Sequence, residues 1–123
     1  MNTSLRILIV DDSENDTLLL VRELKRQGYE PDYERVCAVD TLKASLVNQT
    51  WDLIITDHYM PELNSGDVIA VVKGMGVDVP VIIVSGLIPE KAAIAAMKAG
   101  AQDYIMKDNM ARLIPAIERE LNE

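Results

Sequence analysis

Three acids, one hydroxyl and one amine stand at the ends of apolar runs in this chain. Asp11 and Asp12 close Leu5-Arg-Ile-Leu-Ile-Val10, and Asp57 closes Trp51-Asp-Leu-Ile-Ile-Thr56. Ser85 closes Val79-Pro-Val-Ile-Ile-Val84, and Lys107 closes Asp103-Tyr-Ile-Met106. Taken singly, each has a plain structural explanation. Asp and Ser cap helices, turn residues follow strands, Ser-Gly pairs punctuate loops, and most lysines are solvated. Together they describe a site. Two carboxylates about 4 Å apart repel by about 4 kcal/mol at an effective dielectric of roughly 20, so a cluster of three needs a cation or raised pKa values. Hard carboxylate oxygens suit Mg2+, which keeps several waters and readily shares phosphate oxygens. A metal, an amine and a hydroxyl around one carboxylate make a phosphoryl-transfer site. The carboxylate can itself be the nucleophile and carry an acyl phosphate.

These residues meet only if the runs that carry them are parallel strands whose carboxyl ends share one crevice. Strands are predicted over 5–10, 31–36, 51–56, 79–84 and 102–106, alternating with helices over 14–27, 40–49, 66–74, 89–99 and 112–122. Strands one, three and four are rich in Val, Ile and Leu, as expected of strands covered on both faces. The second, Pro31-Asp-Tyr-Glu-Arg-Val36, mixes polar and apolar residues and reads as an edge strand with its proline at the start. The first helix ends at Gly28 and the fourth at Gly100. Pro115 belongs in a first turn, so the last helix is expected to begin around Arg112 to Ile114, after a looser turn at Asn109. Alternating strands and helices predict right-handed crossovers. The expected fold is α/β: a doubly wound, flavodoxin-like parallel sheet of five strands in the order 2-1-3-4-5 with five helices, forming one domain over 1–123.

Composition narrows the function. The 123 residues are 49% hydrophobic, enough for a core, but only 4% aromatic with no Phe, so that core rests on aliphatic side chains. A formal net charge of −8 argues against binding nucleic-acid phosphates or anionic lipid through this domain. A single cysteine, Cys37, forms no internal disulfide, which fits a reducing compartment. No apolar run approaches the roughly 18 residues of a membrane span. Met-Asn-Thr-Ser leads into the first strand without the regions of a signal peptide, so a cytoplasmic location is expected.

With these residues in view, the chain resembles the receiver domain of two-component response regulators over essentially its whole length. The resemblance is carried by Asp11-Asp12, Asp57 followed by Met60-Pro61, Ser85, Lys107, and Tyr104 within the run Ala99-Gly-Ala-Gln-Asp-Tyr104. It implies that Asp57 accepts a phosphoryl group from a phosphohistidine on a sensor histidine kinase or phosphotransfer domain. It implies Mg2+ held directly by Asp12 and Asp57, by Asp11 mostly through water, and by the main-chain carbonyl of Tyr59. Lys107 and the Ser85 hydroxyl would hold phosphoryl oxygens. Ser85 and Tyr104 would form a switch, Ser85 moving toward the phosphate as the Tyr104 ring turns inward. The face made by helix four, strand five and helix five would carry the output to a downstream protein or fused domain. Such a domain is not an enzyme but a phosphoacceptor that assists its own phosphorylation and dephosphorylation. Tyr59 and Leu87 would flank the path of the hydrolytic water.

Some residues depart from the family pattern. Asp108 stands where a cis-proline commonly follows the lysine. A cis bond before a non-proline residue costs roughly 2.5–4 kcal/mol, so a trans bond is expected and the approach of Lys107 is put in question. The loop 60–66 reads as one residue longer than the common pattern, with a bulge near the metal. His58 is expected in an exposed loop rather than as a ligand. Ala92–Ala99 is read as close packing with a part-exposed edge. Two other functions fit the fold less well. A flavodoxin-like electron carrier would need a phosphate loop after the first strand, where Asp11-Asp-Ser-Glu-Asn-Asp16 would repel phosphate. A small aspartyl-phosphate hydrolase would want its acids two residues apart and a cap domain. A receiver-like adaptor that works without phosphorylation stays open because of Lys107-Asp108. No output domain is read in this chain. Lys-Asp-Asn after strand five and the ending Ala116-Ile-Glu-Arg-Glu-Leu121 resemble forms found beside sensory and kinase domains.

Overall fold

The apolar runs pair into a single sheet. The computed structural model describes residues 3–86 and 89–121. Five strands, β1 (Thr3–Val10), β2 (Tyr29–Val36), β3 (Leu53–Thr56), β4 (Val81–Ser85) and β5 (Asp103–Met106), alternate with α1 (Glu14–Arg26), α2 (Val39–Asn48), α3 (Ser65–Gly74), α4 (Glu90–Ala99) and α5 (Leu113–Leu121). A 3-10 turn, Met110–Arg112, leads into α5. All strand pairs are parallel and the order is β2-β1-β3-β4-β5, as expected.

Alternation of side chains along the strands divides the core in two. Leu8, Val10, Ile54 and Ile83 face α2, α3 and α4, meeting Leu42, Leu46, Val68, Val72, Ala93 and Ala96. Ile7, Ile9, Ile55, Ile82, Val84 and Ile105 face α1 and α5, meeting Leu20, Leu24, Leu113 and Ile117. The aliphatic composition therefore covers both faces of the sheet. Ala93 and Ala96 are buried while Ala95 and Ala99 are exposed, in line with packing along one edge of α4.

The elements shift at their ends from the expected bounds. Trp51 and Asp52 lie outside β3, because the ladder with β1 begins only at Leu53, opposite Ile7. β4 starts at Val81 rather than at residue 79. β2 begins two residues early, which puts Pro31 third in the strand, opposite Leu5, instead of first. It is tolerated there because β2 is an edge, where alternate N–H groups point away from the sheet. Pro115 is the third residue of α5, within the first turn, where its missing N–H had no partner to lose. No peptide bond among the described residues is cis, so Lys107-Asp108 is trans as expected.

Candidate functional site

The site is assembled where β1, β3, β4 and β5 end. Asp11 follows β1 and is buried; its main-chain N–H bonds the Val36 carbonyl at 3.0 Å. Asp57 follows β3, and its N–H bonds the Val10 carbonyl at 2.8 Å. Lys107 follows β5, and its N–H bonds the Ser85 carbonyl at 2.8 Å. The ladder thus continues one residue past each strand and aims the functional side chains into the same crevice.

The acids converge as predicted. Ligand oxygens of Asp11, Asp12 and Asp57 all lie within 4.8 Å of one another. Asp57 Oδ1 accepts two bonds, from the His58 main-chain N–H and from the Ser85 hydroxyl, each at 2.7 Å. Asp57 Oδ2 lies 3.2 Å from Lys107 Nζ. Asp11 Oδ1 accepts from the Ser13 N–H at 2.9 Å, and its Oδ2 lies 3.3 Å from Lys107 Nζ. Asp12 is exposed and accepts no hydrogen bond from the described residues. Hard oxygens this close, two of them unengaged, fit a small hard dication.

Electrostatics agrees with geometry. Burial pushes the Asp11 carboxyl above its ordinary pKa; the Ser13 N–H and Lys107 pull it back, and Asp57 pushes it further up. Burial pulls the Lys107 ammonium down, but Asp16, Asp11 and Asp57 outweigh it and hold it above the usual lysine value. Lys107 is therefore a fixed positive charge at neutral pH.

Two placements correct the sequence reading. His58 is half-buried rather than exposed, because its Nδ1 pairs with the buried Ser65 hydroxyl at 2.9 Å. The loop after Asp57 closes on itself instead of bulging: Met60 and Leu63 are buried and exchange main-chain bonds, and Tyr59 bridges to Asn64. The Tyr59 side chain is 76% exposed, and Leu87 lies outside the described residues. The Ser85 hydroxyl bonds Asp57 at 2.7 Å, while the Tyr104 side chain is exposed.

One residue was missed. Asp16, in the first turn of α1, makes the shortest contact to Lys107 Nζ, 2.7 Å from its Oδ2. The signal was present in Ser13-Glu-Asn-Asp16, a spacing in which the acid usually folds back on the cap. Beneath the acids a cavity of about 270 Å3 runs under α1, walled by Ile9, Leu20, Ile55, Val84 and Met110.

Comparison with known proteins agrees with this geometry. Residues 7–118 match the response regulator receiver domain family. The chain is 33% identical over 105 residues to the transcriptional regulatory protein PrrA of Mycobacterium tuberculosis, covering 85% of this chain and 44% of PrrA. It is 30% identical over 105 residues to the chemotaxis protein CheY1 of Helicobacter pylori strain 26695, covering 84% of this chain and 85% of that one. A response regulator receiver domain protein from Clostridium thermocellum superposes with a TM-score of 0.81 at 30% identity, over 96% of this chain and 94% of that one. The chain spans less than half the length of PrrA but most of CheY1. Placed by its acids, its strand order and these likenesses, the chain belongs to the receiver domain family of two-component response regulators.

Proposed function

We propose that Asp57 is the phosphoacceptor, and that the domain takes a phosphoryl group from a partner phosphohistidine. The observation that carries this reading is the environment of its carboxylate: two hydrogen bonds on Oδ1, an ammonium on Oδ2, and two further acids beside it. A carboxylate oxygen attacks phosphorus, the P–N bond breaks, and the imidazole leaves with the bonding pair and takes up a proton. Lys107 and Ser85 are placed to receive the phosphoryl oxygens as charge spreads over them. Asp11, Asp12, Asp57 and the Tyr59 carbonyl would hold Mg2+, which neutralises phosphoryl charge when bound. Asp12, with free oxygens, would be the direct ligand. Asp11, whose oxygens already serve Ser13 and Lys107, would act through water. The domain assists one transfer at a time and is not an enzyme with turnover of its own.

Its partners would be a sensor histidine kinase or phosphotransfer domain and a downstream or fused effector. The output face would be α4, β5 and α5, where Ile94, Met97 and Tyr104 are exposed. No described helix is long and apolar enough to cross a membrane, and a cytoplasmic location is part of the proposal. The test is incubation with Mg2+ and acetyl phosphate, followed by mapping of the adduct. A single added phosphoryl group on Asp57, absent from Asp57→Asn, is expected. Labelling elsewhere, or full labelling of the variant, refutes the assignment. An unlabelled domain that still binds its partner would favour the adaptor reading.

A further inference from the structure

We propose that Asp16 is the resting anchor of Lys107 and acts as a brake on phosphoryl transfer, a positioning residue that competes with incoming phosphoryl oxygens for the ammonium. The inference rests on Asp57 as acceptor and Lys107 as the cation that holds the phosphoryl group.

An ammonium has three hydrogens to donate and no acceptor. Those of Lys107 meet Asp16 at 2.7 Å, Asp57 at 3.2 Å and Asp11 at 3.3 Å, so all three are engaged at rest. A phosphoryl oxygen can gain Lys107 only by displacing one of these carboxylates. Asp57 itself becomes the acyl phosphate and Asp11 would serve the metal, which leaves Asp16, the nearest, as the one that must yield.

The helix start shows why Asp16 is available for this contact. Ser13 caps α1, its hydroxyl accepting from the Asp16 N–H at 3.1 Å, and Asp16 is the third residue of the helix. In a capping box the acid at that position returns a bond to the cap N–H. The same molecule does this at α3, where Asp67 accepts from Asn64 N–H at 3.0 Å and Asn64 accepts from Asp67 N–H at 2.9 Å. At α1 the return bond is missing because Asp11 has taken the Ser13 N–H. The Asp16 carboxylate is thereby diverted from its cap to a lysine 91 residues away. Release is cheap, because Asp16 is part-exposed and sits at a helix N-terminus, which stabilises an unpaired anion.

The test measures the rate of Asp57 phosphorylation by acetyl phosphate at fixed Mg2+ in the wild type, Asp16→Asn, Asp16→Glu, Lys107→Ala and the Asp16→Asn/Lys107→Ala pair. Asp16→Asn is expected to speed labelling about three- to fivefold, the scale of a part-exposed ion pair. Asp16→Glu should restore the slow rate, and Asp16→Asn should change nothing once Lys107 is gone. Slower or unchanged labelling in Asp16→Asn overturns the proposal. So does equal acceleration without Lys107, or an Asp16→Glu rate as high as that of Asp16→Asn. A wild type that is never labelled at Asp57 strikes the parent reading instead, so the two failures are separable.

Discussion

Asp11→Asn should make the metal-free domain more stable, although it removes a buried ion-pair partner of Lys107. At 3.3 Å and an effective dielectric of about 20, Lys107 attracts Asp11 by about 5 kcal/mol, while Asp57 and Asp12, within 4.8 Å, each repel it by about 3.5 kcal/mol. Solvent around the exposed Asp12 lowers its share, and burial of Asp11 adds a desolvation cost. The balance favours removing the charge by about 1–2 kcal/mol, or about 3–8 °C in Tm for a domain of this size. Asn keeps an oxygen for the Ser13 N–H, and Lys107 keeps Asp16 and Asp57. The pH dependence follows from the raised Asp11 pKa. The folded state binds this proton more tightly than the unfolded chain, so ionised Asp11 destabilises the fold above its folded pKa. That penalty fades as pH falls toward 3.8, the ordinary value of an aspartate carboxyl, and below it the wild type and the variant converge. The assay is urea unfolding of both proteins in chelator from neutral pH downward, repeated with Mg2+. Mg2+ at roughly ten times its dissociation constant should return about 1.4 kcal/mol to the wild type and close the gap. A variant less stable than wild type in chelator at neutral pH, or a gap that persists in acid, would refute the reasoning.

Three further outcomes are expected. Asp12→Asn should weaken Mg2+ binding more than Asp11→Asn, as read by titration calorimetry; the reverse order would exchange the direct and water-mediated ligands. Tyr59→Ala should speed loss of the phosphoryl group severalfold if its ring shields the in-line water, whereas Tyr104→Ala should leave that rate nearly unchanged and weaken partner binding; phosphate release at fixed Mg2+ tests both. Gly100→Ala should cost about 1–2 kcal/mol in denaturant unfolding, because Gly100 ends α4 with φ at 124°, where a Cβ is strained, while the end of the flexible Lys73 side chain can move aside.

Most of the sheet was legible because its order follows from the alternation of elements and the handedness of crossovers, which do not depend on exact bounds. The bounds were not legible, since a strand ends where its neighbour stops pairing. Trp51 is as apolar as Leu53, yet only Leu53 has a partner on β1. Asp11, Asp57, Ser85 and Lys107 were legible because each follows an apolar run, and strand ends have one address in this fold. Asp16 was not, because its role depends on a competition for one N–H: Asp11 and Asp16 both suit the Ser13 cap, and only the folded geometry decides between them. His58 was misread for a related reason, since its partner Ser65 becomes buried only when the loop closes over Met60 and Leu63.

The span of Lys107 along the chain has a kinetic consequence. Its carboxylate partners lie 96, 91 and 50 residues away, and Lys107 reaches them only after β5 has joined the sheet. A half-formed sheet has the acids of β1 and β3 but lacks the lysine, so a phosphoryl group has no fixed ammonium to hold it until β5 docks. Ligand binding free energy gained so late is absent from the transition state for folding and appears instead in the unfolding limb. A phosphoryl group held by Lys107 should therefore lengthen the lifetime of the native state while leaving the speed of its formation almost untouched, making occupancy of the crevice a clock on opening.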